Sequence, residues 1–186
     1  WSIMPNYIRA KFPGGYYFFT VVTYKRKRIF SHEASRTLLR NAIKEAQRSY
    51  PFEVIAFCLL PDHLHCIWKL PKNDADFSKR WSFIKGYFSR NYHANQKTAV
   101  LSASRKNKEE AAIWQRRFWE HQIRDEKDLQ KHVDYIHYNP VKHGLVTSPE
   151  EWLWSTYLNF VDKGFYKGHS IIERVDDMQE RSGFGE

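Results

Sequence analysis

The stretch PFEVIAFCLLPDHLHCIWKLP, residues 51–71, decides the fold. Two runs rich in apolar, β-branched and aromatic residues, 52–60 and 63–70, are separated only by Pro61-Asp62, a tight-turn pair, so they read as the two strands of a hairpin. Pro51 and Pro71 close it at either end. Side chains alternate along a strand. In the second run Leu64, Cys66, Trp68 and Leu70 therefore share one face, apolar throughout, while His63, His65, Ile67 and Lys69 share the other. Two imidazoles point the same way from one strand, away from the face that looks like core.

The flanking sequence completes the pattern. Before the hairpin, Pro13-Gly14-Gly15 marks a turn, and YYFFTVVTY (16–24) reads as a first strand. It ends in the basic cluster Lys25, Arg26, Lys27 and Arg28. Ser31 then offers an N-cap, and Leu38, Leu39, Ala42, Ile43 and Ala46 give a helix one apolar face. After the hairpin, Phe77, Trp81, Ile84 and Phe88 predict a helix over 75–94. Residues 95–112 lack an apolar period and read as a loop, with a short helical turn near 108–112. IWQRRFWEHQIR (113–124) reads as a fourth strand, and Asp125 as the N-cap of a third helix over roughly 126–138, stopped by Asn139-Pro140. Ser148-Pro149-Glu150-Glu151 is a further helix start. The order is that of the split βαββαβ arrangement: an α+β, ferredoxin-like fold with one antiparallel sheet and two helices on one face, plus a third helix and a C-terminal helix. We expect one domain over 4–160 and a polar, loosely attached tail over 161–186. Met4 reads as a natural start, with 1–3 as an added remnant.

Composition bounds the function. Of 186 residues, 30 are Lys or Arg and 21 Asp or Glu, a formal charge of +9. With eleven Tyr and seven Trp, that balance points to a polyanion, nucleic acid first. The longest unbroken apolar run is the seven residues 54–60, far short of the roughly 20 a membrane-spanning helix needs. No secretory signal opens the chain. Two cysteines, Cys58 and Cys66, are too few for a secreted disulfide scaffold and read as reduced core residues of a cytoplasmic protein.

Two imidazoles two residues apart on a strand can chelate one metal ion, but two ligands do not make a site. The third helix offers more. Leu129, Val133 and Ile136 form its apolar stripe. At about 100° per residue, His132, Tyr135 and Asn139 lie together on one flank, roughly 60–120° from Leu129. Histidine nitrogens with an amide oxygen, leaving positions open, suit Mg²⁺ or Mn²⁺. On the residues alone a plainer reading stays open: surface histidines beside a turn, Tyr135 covering the helix–sheet seam and Asn139 capping the helix.

PDHLHCIW (61–68) resembles the HUH motif, two histidines flanking a hydrophobic residue. YIHYNPVKHGLV (135–146) resembles the signature block of the REP-associated tyrosine transposases. MPNYIRAKFPGGYYFFT (4–20), RRFWEHQIRDEKDLQKHVD (116–134) and EWLWSTY (151–157) are similar to the same family. The resemblance implies a single-strand DNA endonuclease and strand-transfer enzyme acting on REP palindromes, which form hairpins, in bacterial cytoplasm at the nucleoid. It implies His63, His65 and Asn139 as ligands of a divalent metal, Mg²⁺ or Mn²⁺, and Tyr135 as the nucleophile that forms a 5′-phosphotyrosine. It also implies a monomer, with dimers found among insertion-sequence relatives. Asp62 stands where many relatives carry Asn, a departure that at this level does not touch a ligand. The phenol needs help in losing its proton, and His132, one turn earlier, is a candidate helper. Lys25, Arg26, Lys27, Arg28, Arg116, Arg117, Lys142 and His143 are candidate DNA-binding residues, holding phosphates rather than reading sequence. Tyr92, Trp114 and Trp119 are candidate stacking platforms. The alternatives are a non-catalytic hairpin- or RNA-binding module of RNA-recognition topology, and a metal hydrolase that activates water.

Overall fold

The computed structural model describes residues 12–97 and 113–166. Its elements are β1 (Tyr16–Val22), α1 (Glu33–Ser49), β2 (Glu53–Leu59), β3 (His63–Lys69), α2 (Phe77–Lys97), β4 (Trp119–Gln122), α3 (Glu126–Lys142) and α4 (Tyr157–Asp162), with single 3₁₀ turns at Tyr24–Arg26, Ile29–Ser31 and Pro149–Glu151. The sheet has four strands in the order β2-β3-β1-β4, and every pairing is antiparallel. This is the split βαββαβ sheet the hairpin announced.

The sheet is covered on both faces. On one, Tyr17, Phe19 and Val21 of β1 and Leu64, Cys66 and Trp68 of β3 pack with Leu39 and Ala42 of α1 and Phe77, Trp81 and Phe88 of α2. Trp68 stacks on Trp81, 4.3 Å between ring centroids at 18°. On the other face Phe18, Ala56, Cys58 and Ile67 pack against Val133, Tyr135 and Ile136 of α3. β1 is thus buried on both sides, as its sequence, aromatic and β-branched throughout, requires. β2 carries one extra residue between Val54 and Ala56, a bulge that puts Ile55 and Ala56 both toward α3.

Arg80 joins the layers. It is 1% exposed, and its guanidinium donates to Asp74 Oδ2 at 2.8 Å and to the carbonyls of Tyr50, Pro51 and Asp76 at 3.2, 2.7 and 2.9 Å. It therefore ties the start of α2 to the α1–β2 connection.

Several boundaries differ from expectation. α1 begins at Glu33, so its N-cap is His32, not Ser31. β4 is shorter than 113–124: Trp114 forms only an isolated bridge to Thr23, and Arg116 and Arg117 lie in the irregular segment before the strand. Trp114 is instead a core residue, 9% exposed, against Phe30 and Phe88. α2 continues to Lys97, so 95–97 is helical; the rest of the expected 95–112 loop lies outside the described residues, as do 1–11 and 167–186. α3 does not stop at Asn139 but runs through Pro140 to Lys142. The helix ends in a Schellman turn, with Leu145 N–H on Pro140 O at 2.9 Å and Gly144 N–H on Val141 O at 2.8 Å. Gly144 supplies the left-handed residue this needs, at φ +63°. The motif at Ser148 gives one 3₁₀ turn only. The start of the expected loose tail is attached: Tyr166 shares hydrogen bonds with His137 and Asp134 at 2.6 and 3.2 Å. No helix among the described residues is long and apolar enough to cross a membrane.

Candidate active site

Sheet register assembles the site. Across β1 and β3, Val22 pairs with His63 and Thr20 with His65. The two histidines are 1% and 0% exposed, lying under α3 rather than on a wet surface. Their rings meet edge to face, 4.9 Å between centroids. Each has its Nδ1 engaged. His63 Nδ1 donates to Asp62 Oδ1 at 2.7 Å, and His65 Nδ1 shares a hydrogen bond with Thr20 Oγ1 at 2.9 Å. Such bonds fix ring plane and tautomer, and leave Nε2 as the nitrogen each ring offers to a ligand. Asp62 therefore does touch a ligand candidate, contrary to expectation. Burial pushes its carboxyl up, but the hydrogen bond and charge of His63, with the charge of Arg26 at 3.4 Å, hold it below the ordinary carboxylate range. Thr20 does not stand out by spacing; its signal is that it is the one aliphatic hydroxyl among the aromatic and valine residues of a strand that is buried on both sides.

α3 supplies the other half. The Tyr135 ring lies 5.3 Å from His65 and 6.1 Å from Phe18, and the residue is 4% exposed. Its hydroxyl accepts a hydrogen bond from Lys142 Nζ at 3.3 Å, and that ammonium sits 4.9 Å from its ring centroid. Lys142 is exposed, so the hydroxyl end of Tyr135 reaches the rim of the site while its ring is buried. Asn139, one turn further on, is fully buried inside the helix. The cap reading for Asn139 is thereby excluded, because the helix end lies beyond it. His143, just past the helix, has its ring 5.2 Å from that of His63.

His132 belongs to a neighbouring network. Its Nδ1 donates to the Asp128 carbonyl at 2.8 Å and faces the Asp128 carboxylate at 3.2 Å, and its ring stacks on His121 at 4.6 Å and 12°. Asp128 Oδ2 accepts from His121 Nε2 at 2.9 Å, from Arg124 N–H at 3.0 Å and from Arg124 Nε at 3.3 Å. Burial pulls His132 down to about 4. Burial pushes Asp128 up, but the bonds from His121 and Arg124 and the nearby imidazoles hold it at about 2. Among the described residues these three form the one His and acidic group whose ligand atoms all lie within 4.8 Å. Sequence spacing did not connect His121 and Asp128 because they sit on different elements. His137, the first histidine of the 135–146 block, bonds Thr156 Oγ1 at 2.9 Å and the Tyr166 hydroxyl, docking the C-terminal segment on α3. Burial pushes it down to about 3.

The basic clusters gather toward one end of the sheet. Thr23 Oγ1 bonds the carbonyls of Lys27 and Asp62, both at 2.8 Å. The turn carrying Lys25, Arg26, Lys27 and Arg28, all exposed, is thus fastened to the turn before His63. Lys25 and Arg26 hold φ near +54° and +50° there, conformations that cost non-glycine residues energy. Arg116 and Arg117 are exposed just after Gln115, whose N–H bonds Val22 O at 2.9 Å at that same end.

Comparison with known proteins fits this arrangement. Residues 12–139 match the family described as transposase, IS200-like. A REP-associated tyrosine transposase of Escherichia coli K12 is 43% identical over 164 residues, covering 88% of each chain. A Haemophilus influenzae relative named for the same activity is 41% identical over 163 residues, covering 88% of this chain and 91% of its own. A solved REP-associated tyrosine transposase bound to a REP hairpin superposes with a TM-score of 0.72 at 43% identity, again over 88% of each chain.

Proposed function

This chain belongs to the IS200-like transposase family and is a DNA transposase of the tyrosine type, and from that premise we propose that it is a metal-dependent single-strand endonuclease and strand transferase acting on REP-type hairpins. The observation that carries the reading is the convergence of Tyr135 with the His63–His65 pair beneath α3, at 5.3 and 4.9 Å between successive rings. Tyr135 Oη attacks the scissile phosphorus. An O–P bond forms to the tyrosine, the bond from phosphorus to the 3′ oxygen breaks, and the products are a 5′-phosphotyrosine and a free 3′-hydroxyl. The phenolic proton leaves to solvent and the 3′ oxygen takes up one. The covalent linkage keeps the phosphodiester energy, so a second 3′-hydroxyl can reverse the step and join strands.

The donor set fits a divalent metal. His63 and His65 each have Nδ1 engaged, so Nε2 is the nitrogen each would offer, and Asn139, buried on α3, would add an amide oxygen. Two imidazoles and a neutral oxygen suit Mn²⁺ or Mg²⁺ with positions left for phosphate. Such an ion, when bound, withdraws charge from a non-bridging phosphate oxygen. Lys142 donates to the Tyr135 hydroxyl, and its ammonium favours the phenolate. The Lys25–Arg28 turn, Arg116, Arg117 and His143 hold the DNA backbone. The Asp128 network fits metal less well, because Arg124 donates to the same carboxylate oxygen as His121.

The test is the covalent adduct on a labelled single-stranded REP-type hairpin, read by denaturing gel with Mn²⁺ or Mg²⁺. His63→Ala and His65→Ala abolish metal-dependent adduct formation, and His121→Ala retains it. The reverse pattern would move the metal to the Asp128 network.

A further inference from the structure

Two clefts adjoin along β2, away from the catalytic rings. The first, about 320 Å³, lies between α1, β2 and residues 153–156, with Arg36, Arg40, Lys44 and Trp154 among its walls. The second, about 380 Å³, shares Arg36, Leu59, Leu153 and Trp154 with it and extends to Arg28 and Pro61. Pro61 directly precedes Asp62, the residue bonded to His63. The two clefts therefore form one path from the flank of α1 to the margin of the active site.

The walls of this path are built. Arg36, Arg40 and Lys44 follow at four-residue spacing, one row along α1. The Arg36 guanidinium lies 4.3 Å from the Trp154 ring centroid and that of Arg40 5.8 Å. Arg36 Nη1 is fixed on the carbonyls of Phe30 and Ser31 at 3.1 and 3.0 Å, and its Nε is buried with no hydrogen bond. Trp154 sits on a strand-like edge rather than a loose loop: Leu59 N–H bonds Trp154 O and Thr156 N–H bonds Phe57 O, both at 2.9 Å. The neighbouring acids, Glu151 in the wall of the second cleft and Glu45 on α1, are each held by another partner. Glu151 bonds Thr147, and Glu45 pairs with Arg48.

A row of cations beside a fixed indole over an apolar floor matches a phosphodiester chain with unpaired bases. A duplex keeps its bases stacked inside and presents no ring to the indole. We propose that this path binds the single-stranded DNA leading to the scissile phosphate, with an unpaired base against Trp154 and phosphates on Arg40 and Lys44. The choice of DNA as occupant rests on the transposase reading above.

The experiment measures binding of two labelled oligonucleotides, a REP-type hairpin with its single-stranded flanks and the same hairpin trimmed flush. The variant is Arg40→Gln/Lys44→Gln, two exposed positions whose change leaves the core intact. Affinity for the flanked hairpin falls about tenfold. The log–log salt slope shrinks by about 1.4, the value for two single-strand phosphates that no longer meet a cation. Affinity for the trimmed hairpin stays unchanged. 2-Aminopurine placed along the flank is quenched at one position by the wild type, and Trp154→Leu removes that quenching. Equal weakening on both oligonucleotides, or no weakening on either, overturns the proposal. If the flank-specific weakening is found but the wild type forms no covalent adduct, the path stands and the transposase reading falls.

Discussion

Tyr135 and Lys142 stand one above the other on α3, seven residues apart, and the ammonium–phenol contact at 3.3 Å is the most direct chemical statement the site makes. An unperturbed tyrosine ionises near 10, so a cation at the hydroxyl raises the fraction of nucleophilic phenolate at neutral pH. Lys142→Gln is expected to slow single-turnover adduct formation about 10²-fold at saturating DNA. Its pH–rate profile moves to higher pH, because more base is then needed to reach the phenolate. Lys142→Arg retains most of the rate. If Lys142 only held a phosphate, affinity would fall while the saturated rate and its pH profile stayed put. At this scale His63, His65, Tyr135 and Asn139 are legible in the sequence as candidates. The partners that orient them are not, because Asp62–His63 and Thr20–His65 are decided by rotamer and cross-strand register rather than by spacing.

At the scale of elements, Arg80 shows how a polar residue can specify packing. Buried at 1% exposure, it satisfies three carbonyls and a carboxylate at the junction of α1, β2 and α2. Arg80→Ala removes the donor of three carbonyls and of the half-exposed Asp74 carboxylate, and losing such partly buried hydrogen bonds together costs about 1–3 kcal/mol. Thermal denaturation is expected to show Tm lower by several degrees; a shift within experimental error would mean water replaces the guanidinium. The hairpin 52–70 and the amphipathic faces of α1 and α2 were legible because periodicity reports burial on one side. β4 is shorter than its apolar pattern suggests, because Ile113 and Trp114 are apolar for a different reason: they plug the core beside Phe30 and Phe88. α3 is longer than its sequence suggests, since Pro140 reads as a stop. Pro lacks only its own N–H, and the Schellman turn at Gly144 closes the helix one turn later.

The whole molecule is a sheet buried on both faces, and that burial makes its stability pH-dependent. His132 is held neutral in the fold, down at about 4, by burial first and then by the charge of His121. In the unfolded chain it titrates near 6.5. Its contribution is fully present above 6.5 and is lost as pH falls from there toward 4, by up to about 1.4 kcal/mol per pH unit. Denaturant melts are expected to show stability declining across that window, and His132→Asn, which keeps a donor for the Asp128 carbonyl, makes the decline shallower, the buried His137 keeping its own share. An unchanged acid limb in the variant would contradict the assignment. Fold topology and charge balance were legible from the sequence alone. The placing of α3 over the histidines was not, because it depends on which sheet face the helix covers, and alternation leaves that choice open.

The central claim is that Tyr135 becomes covalently joined to DNA. The most direct measurement is a denaturing gel of the full chain with a labelled single-stranded REP-type hairpin and Mn²⁺ or Mg²⁺, wild type beside Tyr135→Phe, with DNA binding measured for both. A metal-dependent adduct that vanishes in Tyr135→Phe while binding persists is the predicted result. Cleavage without an adduct, surviving that substitution, would contradict the account and make the protein a water-using nuclease.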